Sequence, residues 1–225
     1  MRNLRRIFRI LLLLIVGLFL HYVLPQQDVA RITSTEIIRT DFSNVNRIFY
    51  AQADSGNVEN STRDLRLINT QRLPTYFFGL IRGDETSTMV YRNEDTGWIY
   101  PPYFKFDSSD LQAEADDLSS TAAEPNWVVI THYGWRIRFL TIFPNAVSIR
   151  EVAGPDYRPF PWFNIGFFIF LAIAIVFLRA MWMQFRERTL DPLADKAGDR
   201  LDHVQADVAE RRGRFRRWLD TWKSK

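Results

Sequence analysis

Two apolar segments lie near opposite ends of this 225-residue chain, and each carries arginine on the side nearer the terminus. The first, Ile10 to Leu24, follows Arg2, Arg5, Arg6 and Arg9; the second, Phe160 to Met183, ends among Arg179, Arg186 and Arg188. From Phe160 to Leu178 there is no charge in 19 residues, six of them Phe, and Trp162 and Trp182 stand at the two ends. A soluble helix keeps a polar face, and this segment has none, so it is predicted to cross a bilayer with its tryptophans at the interfaces. The first segment is shorter, and its bland reading is a cleaved signal peptide. Cleavage needs small residues after the apolar run, whereas His21-Tyr22-Val23-Leu24-Pro25-Gln26-Gln27 follows here. It is therefore expected to stay as an uncleaved anchor. Neither span holds Asp, Glu or Lys, which removes the groups an ion or proton pathway runs on.

Charge follows the same division. Residues 1–9 carry four Arg and no acid, residues 25–161 carry 13 basic and 18 acidic side chains, and Arg179 onward carries 12 basic and 8 acidic. Basic excess confined to the ends is the pattern left when Lys and Arg stay in the cytoplasm. Nucleic-acid binding would place it on a folded domain instead, so no nucleic-acid partner is expected. The expected layout is a basic cytoplasmic N-terminus (1–9), a first transmembrane helix (10–24), an exported domain (25–159), a second transmembrane helix (160–183) and a cytoplasmic tail (184–225). Both termini would then lie inside. Cysteine is absent, which excludes disulfides, thiolate metal sites and Cys nucleophiles. A bacterial inner membrane, with the middle domain in the periplasm, suits this chain.

Between the spans the apolar residues alternate with period two in short runs, which predicts antiparallel strands. The runs are Val29–Arg39, Arg47–Gln52, Asp64–Thr70, Thr75–Leu80, Met89–Arg92, Trp127–Ile142 and Ala146–Val152, the longest expected to bend or turn at Gly134. One helix interrupts them: Ser109 and Gln112 have capping-box spacing, and Leu111, Ala115 and Leu118 share a face. The fold class is an α+β membrane protein, two transmembrane helices flanking a small antiparallel β barrel or sandwich with one inserted helix, followed by a C-terminal cytoplasmic helix.

The run Tyr133-Gly134-Trp135-Arg136-Ile137, then Phe139-Leu140 and Phe143-Pro144-Asn145, resembles the closing motif of an uncharacterised, mainly alphaproteobacterial family of membrane-anchored proteins. Asn93-Glu94-Asp95-Thr96-Gly97-Trp98 and Phe104-Lys105-Phe106-Asp107-Ser108-Ser109-Asp110-Leu111 are similar to its other blocks, so the likeness covers about Arg31 to Val152. It implies a fold and no reaction. Near Arg138 and Thr141 this chain departs from the family's proline and serine, and no functional residue carries over.

Catalytic templates are missing from the sequence. No G-x-S-x-G elbow occurs, and the exported domain's single histidine, His132, has no partner that the sequence names. Acid pairs Glu94-Asp95, Asp107 with Asp110, and Asp116-Asp117 do not match a calcium loop, and no metal or other cofactor is expected. Binding candidates are Trp98, Tyr100 and Tyr103 around Pro101-Pro102, together with Trp135 and Arg136. Such rings build either a core or a groove for a partner.

In the tail, Asp191-Pro192 reads as a helix start, and Ala194, Ala197, Leu201, Val204, Val208, Phe215, Trp218 and Trp222 follow at steps of three and four. Its last stretch, Arg211, Arg212, Arg214, Phe215, Arg216, Arg217, Trp218 and Trp222, has the make-up of a segment docking on an anionic membrane surface, with a coiled coil as the rival. The expected function is a non-enzymatic inner-membrane protein that presents a periplasmic domain to protein partners, as an assembly or envelope accessory factor. A ligand sensor signalling through the tail is the first alternative. An envelope glycan hydrolase using Asp107, Asp110 or Glu94 is the second.

Overall fold

A computed structural model describes residues 2–41, 49, 62–78, 80–97 and 101–223. The chain divides into two units, Met1–Ile165 and Gly166–Lys225.

In the first unit, helix α1 (Arg2–Val23) leads through Leu24-Pro25 directly into β1 (Gln26–Asp41). There follow β2 (Thr62–Leu73), β3 (Thr75–Tyr76), β4 (Ile81–Arg82), β5 (Ser87–Arg92), α2 (Ser108–Asp117), β6 (Trp127–Tyr133) and β7 (Asn145–Val152). Five strands close a barrel in the order β1-β2-β5-β7-β6, and β3-β4 is a separate small hairpin. Every ladder is antiparallel except β5 with β7, joined through Arg92 and Asn145. With a helix between its third and fourth strands, this is the Greek-key arrangement of the OB-fold. A barrel, not a sandwich, is the outcome, with the seam between β5 and β7 closed by the one pair Arg92 and Asn145.

The period-two pattern explains the interior. Ala30 and Ile32 of β1, Ile68 of β2, Met89 and Tyr91 of β5, Val128 and Ile130 of β6, and Ala146 and Ile149 of β7 form one core. Leu111 and Ala115 of α2 pack into it, with Leu118 against its flank, so the expected helix face is the buried one. The capping box is not formed. Asp107 is the N-cap, Ser109 lies inside the first turn, and Gln112 accepts a hydrogen bond from Asn93 at 2.9 Å. The carboxylate of Asp95 takes the Ser108 amide at 2.9 Å, so capping comes from a neighbouring loop, where spacing rules do not look.

Two other strand expectations change. Thr75–Leu80 is not one strand: it pairs only through Thr75 and Tyr76, and Phe77 and Phe78 turn the chain at φ of 54° and 59°. Trp127–Ile142 turns at Gly134 as expected, at φ 92°, but the strand ends there at Tyr133 and is followed by a 3-10 turn at Arg138–Leu140 and a bridge of Ile137 to Ile142. The apolar alternation beyond Gly134 belongs to a second cluster, in which Ile142 and Phe143 pack on Leu65 and Leu67. The expected strand Arg47–Gln52, Phe49 apart, lies outside the described residues.

Helix α3 (Trp162–Phe185) begins in the first unit and continues into the second, through a π-helical stretch Arg186–Leu190 and on to α4 (Asp191–Lys223). The α-helix α4 does begin at Asp191-Pro192, but as a continuation of the π-helical stretch, and Asp191 is no N-cap because its own dihedrals are helical, −64° and −45°. Proline lacks an amide hydrogen and clashes with the carbonyl four residues back, and the wider π turn before Pro192 absorbs that conflict. Two stretches, Asn3–Val23 and Trp162–Leu193, are long and apolar enough to cross a membrane, and almost none of their side chains is buried.

Candidate functional site

Among the described residues the most heavily bonded side chain lies just after α1 hands the chain to the barrel. Asp28 shares the inward face of Ala30 and Ile32, which places a carboxylate inside the barrel with no exposure to solvent. Five hydrogen bonds converge on it. The Arg72 guanidinium, the Tyr91 hydroxyl at 2.6 Å and His132 Nε2 at 3.0 Å meet Oδ2; the Thr75 amide and hydroxyl, each at 3.1 Å, donate to Oδ1. Burial alone would raise this carboxyl. The His132 and Arg72 partners and the Tyr91 hydroxyl outweigh it and hold Asp28 well below its ordinary range. Burial next to that anion pushes the Tyr91 phenol well up. The knot ties the first strand after α1 to the end of β2, the start of β3 and the end of β6.

A second polar network lies between β5, β7 and α2. Arg92 is buried, with Glu94 3.4 Å from its Nε. Asn145 accepts from the Glu94 amide at 2.9 Å and donates to the Tyr133 hydroxyl at 3.1 Å. The Lys105 side chain, 4% exposed, donates to Asn93 and to the Ala146 carbonyl. Burial lowers its amine to about 8 against the upward pull of Asp107, Asp95 and Glu94. A perturbed lysine in a cleft would be a candidate base. Here its bonds go to a structural amide and a backbone carbonyl.

The expected binding residues are partly gathered by these elements. Tyr103 stacks on Tyr133 with ring centroids 4.8 Å apart and an 8° interplanar angle, and its hydroxyl donates to the Val23 carbonyl at 2.5 Å. Tyr133 meets Tyr22 edge-on, Tyr22 meets Trp135 edge-on, and Trp135 Nε1 donates to His21 Nδ1 at 2.9 Å. Tyr103 and Trp135 thus belong to one chain of rings around the last turn of α1. Arg136 lies over the Phe143 ring at 4.2 Å and donates to the Ile142 carbonyl at 2.9 Å. Trp98 and Tyr100 lie outside the described residues. In α4, Val204, Val208, Phe215 and Trp218 are exposed beside the basic residues Arg211, Arg212, Arg214, Arg216 and Arg217, and the Trp222 side chain is not described.

Among the described residues no three His, Asp or Glu side chains are grouped to hold a metal ion. The carboxylates considered for hydrolysis are separated in role: Asp107 and Asp110 are exposed at the start of α2, and Glu94 faces Arg92. In OB barrels the usual ligand face is the outer side of the second and third strands, flanked by the loops after the first strand and before the last. In this chain Ile142 and Phe143, from that last loop, pack on Leu65 and Leu67, with Val90, Ile137 and Leu140 against them. The protein's own loop covers part of that face.

Sequence reasoning missed Asp28, Arg72 and Tyr91. A signal existed, because Asp28 falls in phase with Ala30 and Ile32, and an acid on a core face needs partners. His132 is separated from Asp28 by 104 positions, so no local pattern pairs them.

No solved structure matches the chain. An uncharacterised protein of Haemophilus influenzae is 35% identical over 187 residues, covering 80% of this chain and 95% of the relative. Residues 1–186 match the model of the family described as protein of unknown function (DUF1523), whose matched length stops where the π-helical turn begins. With α1, α3 and the whole barrel inside that match, the chain belongs to the DUF1523 family.

Proposed function

We propose that this chain is a double-pass inner-membrane protein that holds its barrel on the periplasmic side and acts, without catalysis, as a docking module for protein partners in the envelope. The observation that carries the reading is the exposure of large aromatics on a barrel whose interior charged groups Asp28, Arg72, Arg92 and Lys105 each have a partner inside it. Phe139 is 86% exposed at the tip of the β6–β7 connection, and Phe104 and Phe106 are exposed before α2. Exposed aromatics on a rigid scaffold are the usual anchors of protein interfaces. The charged interior groups Asp28, Arg72, Lys105 and Arg92 hold strands together. The partly covered outer face of β2 and β5 speaks against an oligonucleotide ligand.

The layout is supported at the barrel's base. Asn164, in the first turn of α3, donates to the Pro25 carbonyl at the exit of α1, so both apolar helices meet the barrel at one place. Together with arginine at the far end of each span, this favours both termini in the cytoplasm and α1 as a retained anchor. Photo-crosslinking side chains at positions 139 and 106, in native membranes, test the docking role. A discrete adduct from these sites and none from position 117 is expected. Unmodified monomer at every site would overturn the reading, as would a reporter fused at Lys225 that is active only in the periplasm.

A ligand sensor is favoured by one observation of its own: the backbone runs without a loop from α3 through the π turn into α4. A change at the Asn164 clamp would then reach the tail. Disulfide trapping of a single cysteine at Val204 that is identical in the wild type and in Asn164→Ala would remove this reading.

A further inference from the structure

The small hairpin β3–β4 carries an apolar tip that the docking role does not use. Tyr76, Phe77, Leu80 and Ile81 are all more than half exposed, Phe77 to 69%. The turn holds two consecutive phenylalanines at positive φ, where glycine or asparagine would sit without strain. A soluble turn gains nothing from that choice.

Three attachments fix where the tip lies. Thr75 donates to the Gln27 carbonyl at 2.9 Å and to Asp28, just past the exit of α1. Arg82 donates to the carbonyls of Tyr157, at 3.1 Å, and of Pro155, on the approach to α3. The Phe78 carbonyl accepts from Asn164 Nδ2 at 3.1 Å, and the Phe78 ring packs on His21 with centroids 5.4 Å apart. The hairpin is therefore rooted between the end of one apolar helix and the start of the other. At the start of α3, Phe160 and Trp162 have rings 4.4 Å apart and are both exposed.

We propose that the β3–β4 tip is a membrane-interface wedge: Tyr76, Phe77, Leu80 and Ile81 enter the boundary between headgroups and acyl chains of the bilayer that α1 and α3 cross. The proposal rests on the double-pass reading above. Its occupant is lipid because the tip is continuous with the two apolar exits, and because tyrosine and large apolar side chains favour that zone. The wedge supplies a third support point, which sets the barrel's tilt on the membrane.

The chain contains no cysteine, so single-cysteine variants take one nitroxide label each. Full-length protein in vesicles of phosphatidylethanolamine and phosphatidylglycerol is labelled at Phe77→Cys or Leu80→Cys, with Ile173→Cys as a span reference and Asp117→Cys as an aqueous one. Relaxation by oxygen against a water-soluble nickel chelate reports depth. The expected result is an oxygen-to-nickel ratio at 77 and 80 several-fold above position 117 and below position 173. Ratios equal to position 117, while 173 still reads as lipid, overturn the wedge and leave the double-pass reading standing. An immobile label shielded from both reagents means protein covers the tip, which also overturns it. A water-like value at 173 defeats the double-pass reading and the wedge with it.

Discussion

The barrel and the two apolar helices bury opposite kinds of residue. In the barrel Asp28, Arg92 and Lys105 are hidden, while in the helices Leu13 is 70% exposed and Phe170 68%. The difference lies in what surrounds each side chain. A carboxylate can be taken out of water where strands from distant parts of the chain aim donors at it, as β2, β3, β5 and β6 do around Asp28 of β1. A lone helix offers no such convergence. Its apolar surface needs another solvent, and the proposed bilayer is one in which that exposure carries no penalty.

The strongest attempt to break this contrast is Asp28→Asn. It leaves the Arg72 guanidinium with no anion at that position, and half-broken buried pairs typically destabilise by about 3–5 kcal/mol. Denaturant unfolding in detergent, followed by near-UV signals of the barrel aromatics, should show a loss of that size. Asp110→Asn, exposed in the first turn of α2, should stay within about 0.5 kcal/mol. Equal effects would mean that the knot does not hold the barrel. The same carboxyl sets an acid limit. Its folded pKa is depressed, so its contribution is complete above the ordinary carboxylate value of about 3.9 and is lost as pH falls below it. The unfolding midpoint should drop on that limb in the wild type and flatten in Asp28→Asn.

The helices give the converse test. Ile173→Arg near the middle of α3 should oppose insertion by about 2.5–3.5 kcal/mol, whereas in a water-facing helix it would be nearly neutral. Carbonate extraction of membranes reads the integrated fraction. A variant that integrates as fully as the wild type would break the comparison from the lipid side.

How much of this was legible in the sequence follows the range of the interactions involved. The two long apolar helices and the face of α2 were readable because their patterns are local: nineteen uncharged residues in a row, or Leu111, Ala115 and Leu118 one turn apart. Most strands were readable from their alternation. The turn at Gly134 was readable from a glycine inside a long strand pattern, whereas the break at Phe77-Phe78 was harder, since apolar residues continue through it and only left-handed backbone ends the strand. The continuous helix past Pro192 was hidden because Asp-Pro has the composition of an N-terminus, and a π turn leaves no composition of its own. Closure into an OB-like barrel and the Asp28 knot depend on which distant strands meet. Of Tyr103 and Trp135 the sequence showed the type, while their packing around α1 needed the placement of Tyr22 and Tyr133 between them.

At the join between the two regions, Tyr103→Phe removes one hydrogen bond, from the ring collar to the last carbonyl of α1, and keeps the stack on Tyr133. A net loss of about 1 kcal/mol is expected in detergent unfolding. A larger loss would show that the collar, as well as the Asp28 knot, fixes the anchor to the barrel.

The smallest effect belongs to α4, whose side chains lie in neither environment. Arg214 and Glu210 face each other at 3.8 Å, one turn apart, and both are about two-thirds exposed. Such a pair is screened by water and salt and stabilises a helix by about 0.3–0.5 kcal/mol. Arg214→Ala should therefore lower the tail's helix signal slightly at low ionic strength, leave the barrel midpoint unchanged, and lose its effect in high salt. An effect that persists in high salt would mean that the pair is shielded. The tail would then be covered by lipid headgroups or by a second helix, and it would join the regions whose surroundings, rather than their own polarity, decide what is exposed.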